Sequence, residues 1–328
     1  MQPRIPVAFV PCPDYDGSAP ASGPEHPRAL SLAEAVDEAF ALAGYAPARG
    51  ERVLVKPNLL RADALTCTSP QVARTVCQWL LDRGVAVSIG DSSAFGGAAG
   101  VARRIGLTDA LAGLYSADGR PLVPLSLDKA VTRRIPALGA VKLSRHALEA
   151  DSILSLPRLK AHSQAGVTGA AKNLFGCVCG THKAIIHMKH GDNGPDNNDF
   201  CRYIAGLTKL LPPQAALVDA ITCMHVTGPS RGQPYHLGLI AASASCAAVD
   251  TALYGLLGLD PDYPPLWRAL RELNVPGAFP QDIVMRGALP ENFDAAGFIT
   301  PHPLLGQSFR PWRFCVSAAK RFWARLKI

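Results

Sequence analysis

Between Ser152 and Gly191 the chain has no Asp or Glu, a forty-residue gap bracketed by Asp151 and Asp192. It also lacks any uncharged apolar run of about eighteen or more residues, so no membrane-spanning helix is expected. No apolar signal region follows Met1-Gln2-Pro3-Arg4, and the expectation is a cytoplasmic chain with reduced thiols. Its nine cysteines contain no Cys-x2-Cys-x2-Cys run, which leaves ferredoxin-type cluster ligation without support. Most of them read as small buried hydrophobes. An evenly spread positive charge is missing too. The net charge is +7, yet Arg310, Arg313, Lys320, Arg321, Arg325 and Lys327 crowd the last nineteen residues. Without those six, acids and bases nearly match, which excludes a general nucleic-acid binder.

What fills the acid-free gap is basic: Arg158, Lys160, Lys172, Lys183 and Lys189, with His162, His182, His187 and His190, and with Cys177 and Cys179. Once folded, such a stretch produces a positive field that attracts a small anion, whether carboxylate, phosphate or metal-bound. Its glycines (Gly166, Gly169, Gly176, Gly180) and short apolar runs suit a loop-rich site better than a core element.

The flanking sequence alternates strands and helices. Val7–Val10 reads as a strand, followed by a Pro/Gly/Ser-rich loop from Pro11 to Pro27. Ser31-Leu32-Ala33-Glu34 has capping-box spacing and opens a helix to about Gly44. Arg52–Lys56 is a strand stopped by Pro57. Ser69-Pro70 starts a helix reaching about Arg83, and Val85–Ile89 is the next strand. Leu122–Leu125 and Ala130–Ile135 suggest a β-rich excursion. Ser152–Leu156, Ala215–Asp219 and Leu237–Ala242 read as further strands, and a helix runs from about Ser245 to Leu257. This order predicts an α/β fold with a mostly parallel sheet and helices on both faces, built as one large domain or as two packed lobes. Residues 1–308 form that unit, and 309–328 form a basic amphipathic tail.

Polar groups stand just past several predicted strand ends: Lys56 and Asn58, then Asp91 and Ser92, then Arg158, Lys160 and His162, and finally Asp219. In open parallel sheets, ligands sit at the carboxyl ends of strands. Singly, Asp91 and Asp219 also suit helix or turn capping; together the four ends point to a shared pocket. Lys172-Asn173, between Gly169 and Gly176, suits an anion clamp, and the bland alternative pairs Lys172 with Asp219 or Asp91. His162 and His187 are the proton-transfer candidates.

Val55-Lys56-Pro57-Asn58-Leu59, Gly90-Asp91-Ser92, Leu156–His162, Thr168–Cys177 and Val218-Asp219-Ala220, with Gly228-Pro229 and Asp250 downstream, resemble the domain-of-unknown-function 362 family over roughly 53–260. The resemblance implies a link to iron–sulfur proteins, because many family members carry an appended ferredoxin module that is missing here. A fainter similarity ties His162, Lys172 and His187 to the nickel-pincer lactate racemase family, which implies a hydroxy-acid-like anion. Gly-Ala-Ala-Lys stands here in place of that family's double-glycine element. A metal or iron–sulfur cofactor would have Cys177, Cys179, His182, His187 and His190 as its candidate ligands, since imidazole and thiolate together suit zinc, iron or nickel. The function expected is an enzyme binding a small anion through Lys56, Asn58, Asp91, Ser92, Arg158, Lys160, Asn173 and Asp219. His162, His187 and Lys172 would be its catalytic groups. The alternative is a redox or carrier protein without acid/base catalysis. The tail combines its six cations with Phe309, Trp312, Phe314, Phe322 and Trp323, and fits either a helix docked on the body or peripheral contact with anionic lipid.

Overall fold

The computed structural model describes residues 3–16, 30–92, 97–180, 182–191 and 198–306. The basic tail and Asp192 lie outside them. The N-terminal half comprises β1 (Ile5–Pro11), α1 (Leu32–Ala43), β2 (Arg52–Pro57), α2 (Pro70–Asp82), β3 (Ala86–Asp91), α3 (Ala98–Arg104), α4 (Leu107–Ala110) and β4 (Leu125–Ser126). A hairpin of β5 (Ala130–Ile135) and β6 (Gly139–Ser144) follows, then α5 (Arg145–Glu149). The acid-free segment folds as β7 (Ser152–Leu156), β8 (Arg158–His162), β9 (Gly166–Thr168), α6 (Ala170–Asn173) and α7 (His182–His190). The chain continues through α8 (Asp199–Leu207), β10 (Gln214–His225), β11 (Gln233–Ser243), α9 (Cys246–Leu256), α10 (Pro265–Glu272) and β12 (Ile283–Gly287).

The main sheet runs β12-β1-β11-β10-β7-β2-β3-β4, and along this path only β11 opposes its neighbours. β8 pairs with the far half of β10 and carries β9 beside it. The strands alternate sides, as a period of two requires. Val53 and Val55 pack among α1–α4 on one face, while Leu54 packs with the α8, α9 and α10 residues on the other. The fold is therefore α/β, with a mostly parallel sheet between helical layers.

Local chemistry explains the clearest boundaries. Ser31 and Glu34 exchange hydrogen bonds with each other's backbone N–H, and Gly44 ends α1 at φ 65°. Ser69 stands at the N-cap of α2 without capping through its side chain; its own N–H donates to Asp219 Oδ2 at 3.1 Å. Two expectations need correction. Of Leu122–Leu125 only Leu125 stands in a strand, the two-residue β4. The acid-free segment is no loop: all five residues of β8 are buried. Its alternation of Arg158, Lys160 and His162 with Leu159 and Ala161 is the two-residue period of a strand whose polar face meets polar loops rather than water.

Candidate functional site

Lys56 is the last residue but one of β2, and its side chain is fully buried. Its Nζ lies 2.9 Å from Asp91 Oδ1 at the end of β3, and donates to the Pro57 carbonyl at 2.6 Å and to Asn173 Oδ1 at 3.3 Å. Asp91 Oδ2 accepts from the Leu59 N–H at 2.7 Å. Asn173 donates back to the Lys56 carbonyl at 2.7 Å and to Ser155 Oγ at 3.2 Å, so one amide ties α6 to β2 and β7. Gly176 follows closely. A Cβ there would sit 2.2 Å from Lys56 Nζ and 2.3 Å from Asp91 Oδ1, so only glycine lets this turn pass over the ion pair.

The placement of α6 has a distant origin. Asp250 on α9 accepts from the N–H groups of Ala170 (2.6 Å) and Ala171 (2.9 Å). Burial raises the Asp250 carboxyl to about 7, with the two amide donors pulling the other way. Gly169 leaves room for that carboxylate, since a Cβ would meet Asp250 Oδ1 at 2.3 Å. These contacts give the Thr168–Gly176 motif its residue types.

Lys160 reaches from β8 into the loop after β2, donating to Asn58 Oδ1 at 3.0 Å and the Thr66 carbonyl at 2.6 Å. Burial, then the nearby Lys172 charge, brings its ammonium down to about 7. Lys172 on α6 comes down to about 8, chiefly by burial, and so does Lys183 on α7. Lys183 donates to the Ser92 carbonyl. Ser92 itself is spent on the 176–178 turn: its N–H donates to Gly176 at 3.2 Å and its hydroxyl to the Val178 carbonyl.

His162 is 1% exposed, and its Nδ1 accepts from the N–H groups of Gln164 (3.1 Å) and Ala165 (3.3 Å). With Nδ1 occupied, the ring's proton sits on Nε2. Burial together with Lys172 and Lys160 pushes its pKa well below the ordinary imidazole value, so it is a fixed neutral donor. His187 stacks on Phe200 at 4.3 Å between centroids and meets Phe175 edge-on at 5.6 Å. Burial and the charges of Lys172 and Lys183 bring it to about 3.

Arg158 and Asp219 form a separate network. Their 3.1 Å ion pair is fully enclosed, and Tyr15 bridges it, accepting from Arg158 at 2.7 Å and donating to Asp219 at 2.9 Å. Arg158 also donates to the Cys67 carbonyl at 2.7 Å, so its groups bind loops rather than face an opening. Neither Asp219 nor Asp91 pairs with Lys172: each has taken another cation.

The five candidate metal ligands do not converge, and among the described residues no three His, Cys, Asp or Glu side chains form a metal-holding group. Cys179 donates to the Leu127 carbonyl, His182 meets the Ala140 carbonyl, and His190 lies 3.8 Å from Asp199. Burial pushes the Cys177 thiol up to about 12 and the Cys179 thiol up to about 11. The α7 helix does put His187 and His190 three residues apart, but both rings are taken up by aromatic packing against α8 residues. This donor set does not fit a resident metal ion or cluster held by side chains. The charges of Lys56 and Asp91 act on the Cys177 thiol, while that of Asp128 acts on Cys179.

Lys183, Asp250 and Tyr15 are the residues that sequence reading passed over as site members. Lys183 had a signal, its place in the acid-free segment. Asp250 was visible only as part of a motif, and Tyr15 lay in a loop with no signal at all.

Fold and site define an α/β protein with a lysine-rich cluster at the carboxyl edge of a mostly parallel sheet. The chain belongs to the DUF362 family, a domain of unknown function whose family model matches residues 53–255. A thylakoid-associated protein of Synechocystis sp. is 34% identical over 268 residues, covering 78% of this chain and 81% of its own. Among solved structures, the lactate racemase apoprotein of Thermoanaerobacterium thermosaccharolyticum matches at 16% identity and TM-score 0.42, over 75% of this chain and 55% of that one. A protein of Thermotoga maritima matches at 14% identity and TM-score 0.35, over 60% and 50%. The chain thus spans about half the length of these solved structures. Among the described residues no helix is long and apolar enough to cross a membrane.

Proposed function

We propose that this protein is an enzyme that binds a small anion over Lys160, Lys172 and Lys183 and moves a proton beside the anion's carboxylate. The observation that carries the reading is the charge imbalance. Three buried or half-buried lysines gather where the nearest carboxylate among the described residues, Asp91, is already matched by Lys56. Lysines at about 7 and 8 are poised for proton transfer near neutral pH, which is where a general base works best. Lys172, half-buried, is the group for that task. His162 contributes a neutral Nε2–H to hold an oxygen that gains charge. Lys56 and Asn173 shape the site without touching the ligand, and Arg158 and Asp219 hold its loops.

The test is solvent exchange. Full-length protein in deuterated buffer is incubated with a panel of short 2-hydroxy and 2-oxo acids, and loss of the proton next to the carboxylate is followed by NMR. Exchange of at least one acid by wild type, abolished in Lys172→Ala with folding intact by circular dichroism, is the expected result. No exchange with any acid, together with stoichiometric iron and sulfide in anaerobically purified protein, replaces this reading with the redox-carrier one.

For the tail, which lies outside the described residues, we propose peripheral contact with anionic lipid. Six cations interleaved with Trp and Phe support it, as does the thylakoid association of the Synechocystis relative. Full-length protein should pellet with anionic vesicles at low salt, and deletion after Gln307 should abolish pelleting. Full-length protein that stays in the supernatant whatever the lipid charge makes the tail a docked helix.

A further inference from the structure

The basic tail follows a segment pinned to the turn between β8 and β9. Leu305 donates its N–H to the Ser163 carbonyl at 2.7 Å, and Ser163 donates its own N–H to the Gly228 carbonyl at 3.0 Å. The next residue of the turn, Gln164, reaches the other way. Its side-chain amide donates to the Gly191 carbonyl, just past α7, at 3.0 Å. At the opposite end of α7, His182 meets the Ala140 carbonyl of β6 at 3.1 Å. Ala140 stands directly across the β5–β6 hairpin from Arg134. Hairpin, α7, turn and Leu305 thus form one continuous stretch.

That stretch is exposed, basic and apolar at once. Residues 129–148 contain five Lys and Arg and no acid. Arg145 pairs with Glu149 at 3.7 Å, whereas no acid among the described residues forms an ion pair with the exposed Lys129, Arg133, Arg134 or Lys142. On α7, Ile186 is buried against the body, while Ile185 and Met188, one turn apart, stay exposed, as does Leu305 beside the turn. Lys189 adds a further exposed cation.

Cations next to exposed apolar side chains suit an anionic lipid surface, which meets the charge with its headgroups and the apolar groups just beneath them. Like charge keeps the tail itself from serving as the cover, since it carries six cations and no acid. A nucleic acid would answer the charge and leave Ile185, Met188 and Leu305 in water. Resting on the lipid reading of the tail above, we propose that the body has a lipid-facing surface of its own, formed by the β5–β6 hairpin, the outer side of α7 and Leu305. It meets the same anionic bilayer as the tail that follows it. Two weak contacts joined at Leu305 make one stable attachment, because peripheral anchoring takes two signals. This orientation brings the β8–β9 turn against the headgroups.

Co-sedimentation of the full-length protein at low salt tests the surface, with phosphatidylglycerol vesicles as the probe and phosphatidylcholine vesicles as the control without net charge. Ile185→Asp combined with Met188→Asp, and Arg133→Ala combined with Arg134→Ala, should each weaken binding to phosphatidylglycerol at least about tenfold although the tail is intact. Tyr115→Asp should change nothing, because that exposed residue follows Leu114 in the helical layer of α1–α4, on the other face of the sheet. Hydrogen exchange of the wild type keeps the test usable where a variant fails to fold: vesicles should slow the amides of α7 and of the hairpin. Wild type and both paired variants pelleting equally well, with α7 exchange unchanged by vesicles, would keep the tail reading and overturn this surface. Duplex DNA retained by wild type and lost by the arginine pair, with vesicle binding unaltered, would assign the hairpin to a nucleic acid and overturn it too. No pelleting of wild type overturns the surface and the tail reading together.

Discussion

Two clusters of basic residues flank each other at the carboxyl edge of the sheet, and they differ in whether an acid reaches them. Arg158 has Asp219 at 3.1 Å and Tyr15 bridging the pair; two residues further along the same strand, Lys160 has only neutral oxygens. Because the segment from Ser152 to Gly191 has no acid of its own, its counter-charges must come from elsewhere in the chain. Asp219 goes to Arg158, Asp199 lies 3.8 Å from His190, and Asp250 goes to the amides at the start of α6. Asp91 pairs with Lys56, outside the segment, and among the described residues no acid forms an ion pair with Lys160, Lys172 or Lys183. A matched cluster is scaffold, and an unmatched one is a place for a ligand to complete.

The sharpest way to break this contrast is to remove an acid from the matched side. Asp219→Ala leaves Arg158 enclosed without its partner and should cost about 3–5 kcal/mol. The measure is the denaturant midpoint of the full-length protein. Pairing Arg158→Met with Asp219→Leu should restore most of that loss, since well-packed apolar groups replace a buried pair at little cost. A loss of stability well under 1 kcal/mol in Asp219→Ala would mean the pair is not scaffold, and the contrast would fail on that side.

A smaller effect is expected at the boundary between the clusters. Gly176→Ala puts a methyl within 2.3 Å of both Lys56 Nζ and Asp91 Oδ1, backed by the short turn to Cys177. Overpacking of this kind costs about 1–3 kcal/mol. It should also weaken anion binding, because the displaced turn carries the Gly176 and Val178 carbonyls that fix Ser92, and Ser92 in turn holds Lys183. Thermal shift with and without phosphate reads both. Unchanged stability would show that the turn can move aside.

How far the sequence foretold this depends on how local each cause is. The capping box of Ser31 and Glu34, the Pro57 stop and the strand ends at Lys56 and Asp91 depend on neighbours in the chain, and they were legible. The burial of β8 was not, because Arg158, Lys160 and His162 alternating with Leu159 and Ala161 reads equally well as a surface strand. The loop from Asn58 to Ser69, about a hundred residues away, covers the first two, through Cys67 to Arg158 at a separation of 91 and Thr66 to Lys160 at a separation of 94. Asp250 lies 80 residues from the helix it caps, and Tyr15 lies 143 from Arg158. One sequence carries no record of such pairings. The histidines and cysteines failed as a metal set for a related reason: their spacing fitted, but α7 turns His187 and His190 toward Phe200 and Tyr203 and leaves Cys179 at the Leu127 carbonyl.

The smallest expected effect is also the most discriminating, because its sign is opposite on the unmatched side. Lys172→Met removes a charge that has no ion-pair partner among the described residues and keeps the apolar stem, so it should stabilise the protein, by about 0.5–2 kcal/mol at pH 7. The sign follows from proton linkage. Lys172 titrates at about 8 in the folded protein against 10.5 ordinarily, so between those values the unfolded chain holds a proton that the folded chain has released. Wild type therefore gains stability as pH rises through that window, and the methionine variant gains nothing at this position. The variant's advantage should be full below about pH 8 and gone by about pH 10.5, with the buried thiols and tyrosines cancelling because both proteins contain them. Adding phosphate should reverse the order near neutral pH, since a ligand that binds only the folded wild type raises its stability and leaves the variant unchanged. Urea midpoints of the two proteins across pH 7–10.5, with and without phosphate, decide it. A variant less stable than wild type at pH 7, by a margin that pH does not alter, would mean that Lys172 has a counter-charge after all and belongs to the scaffold with Lys56 and Arg158.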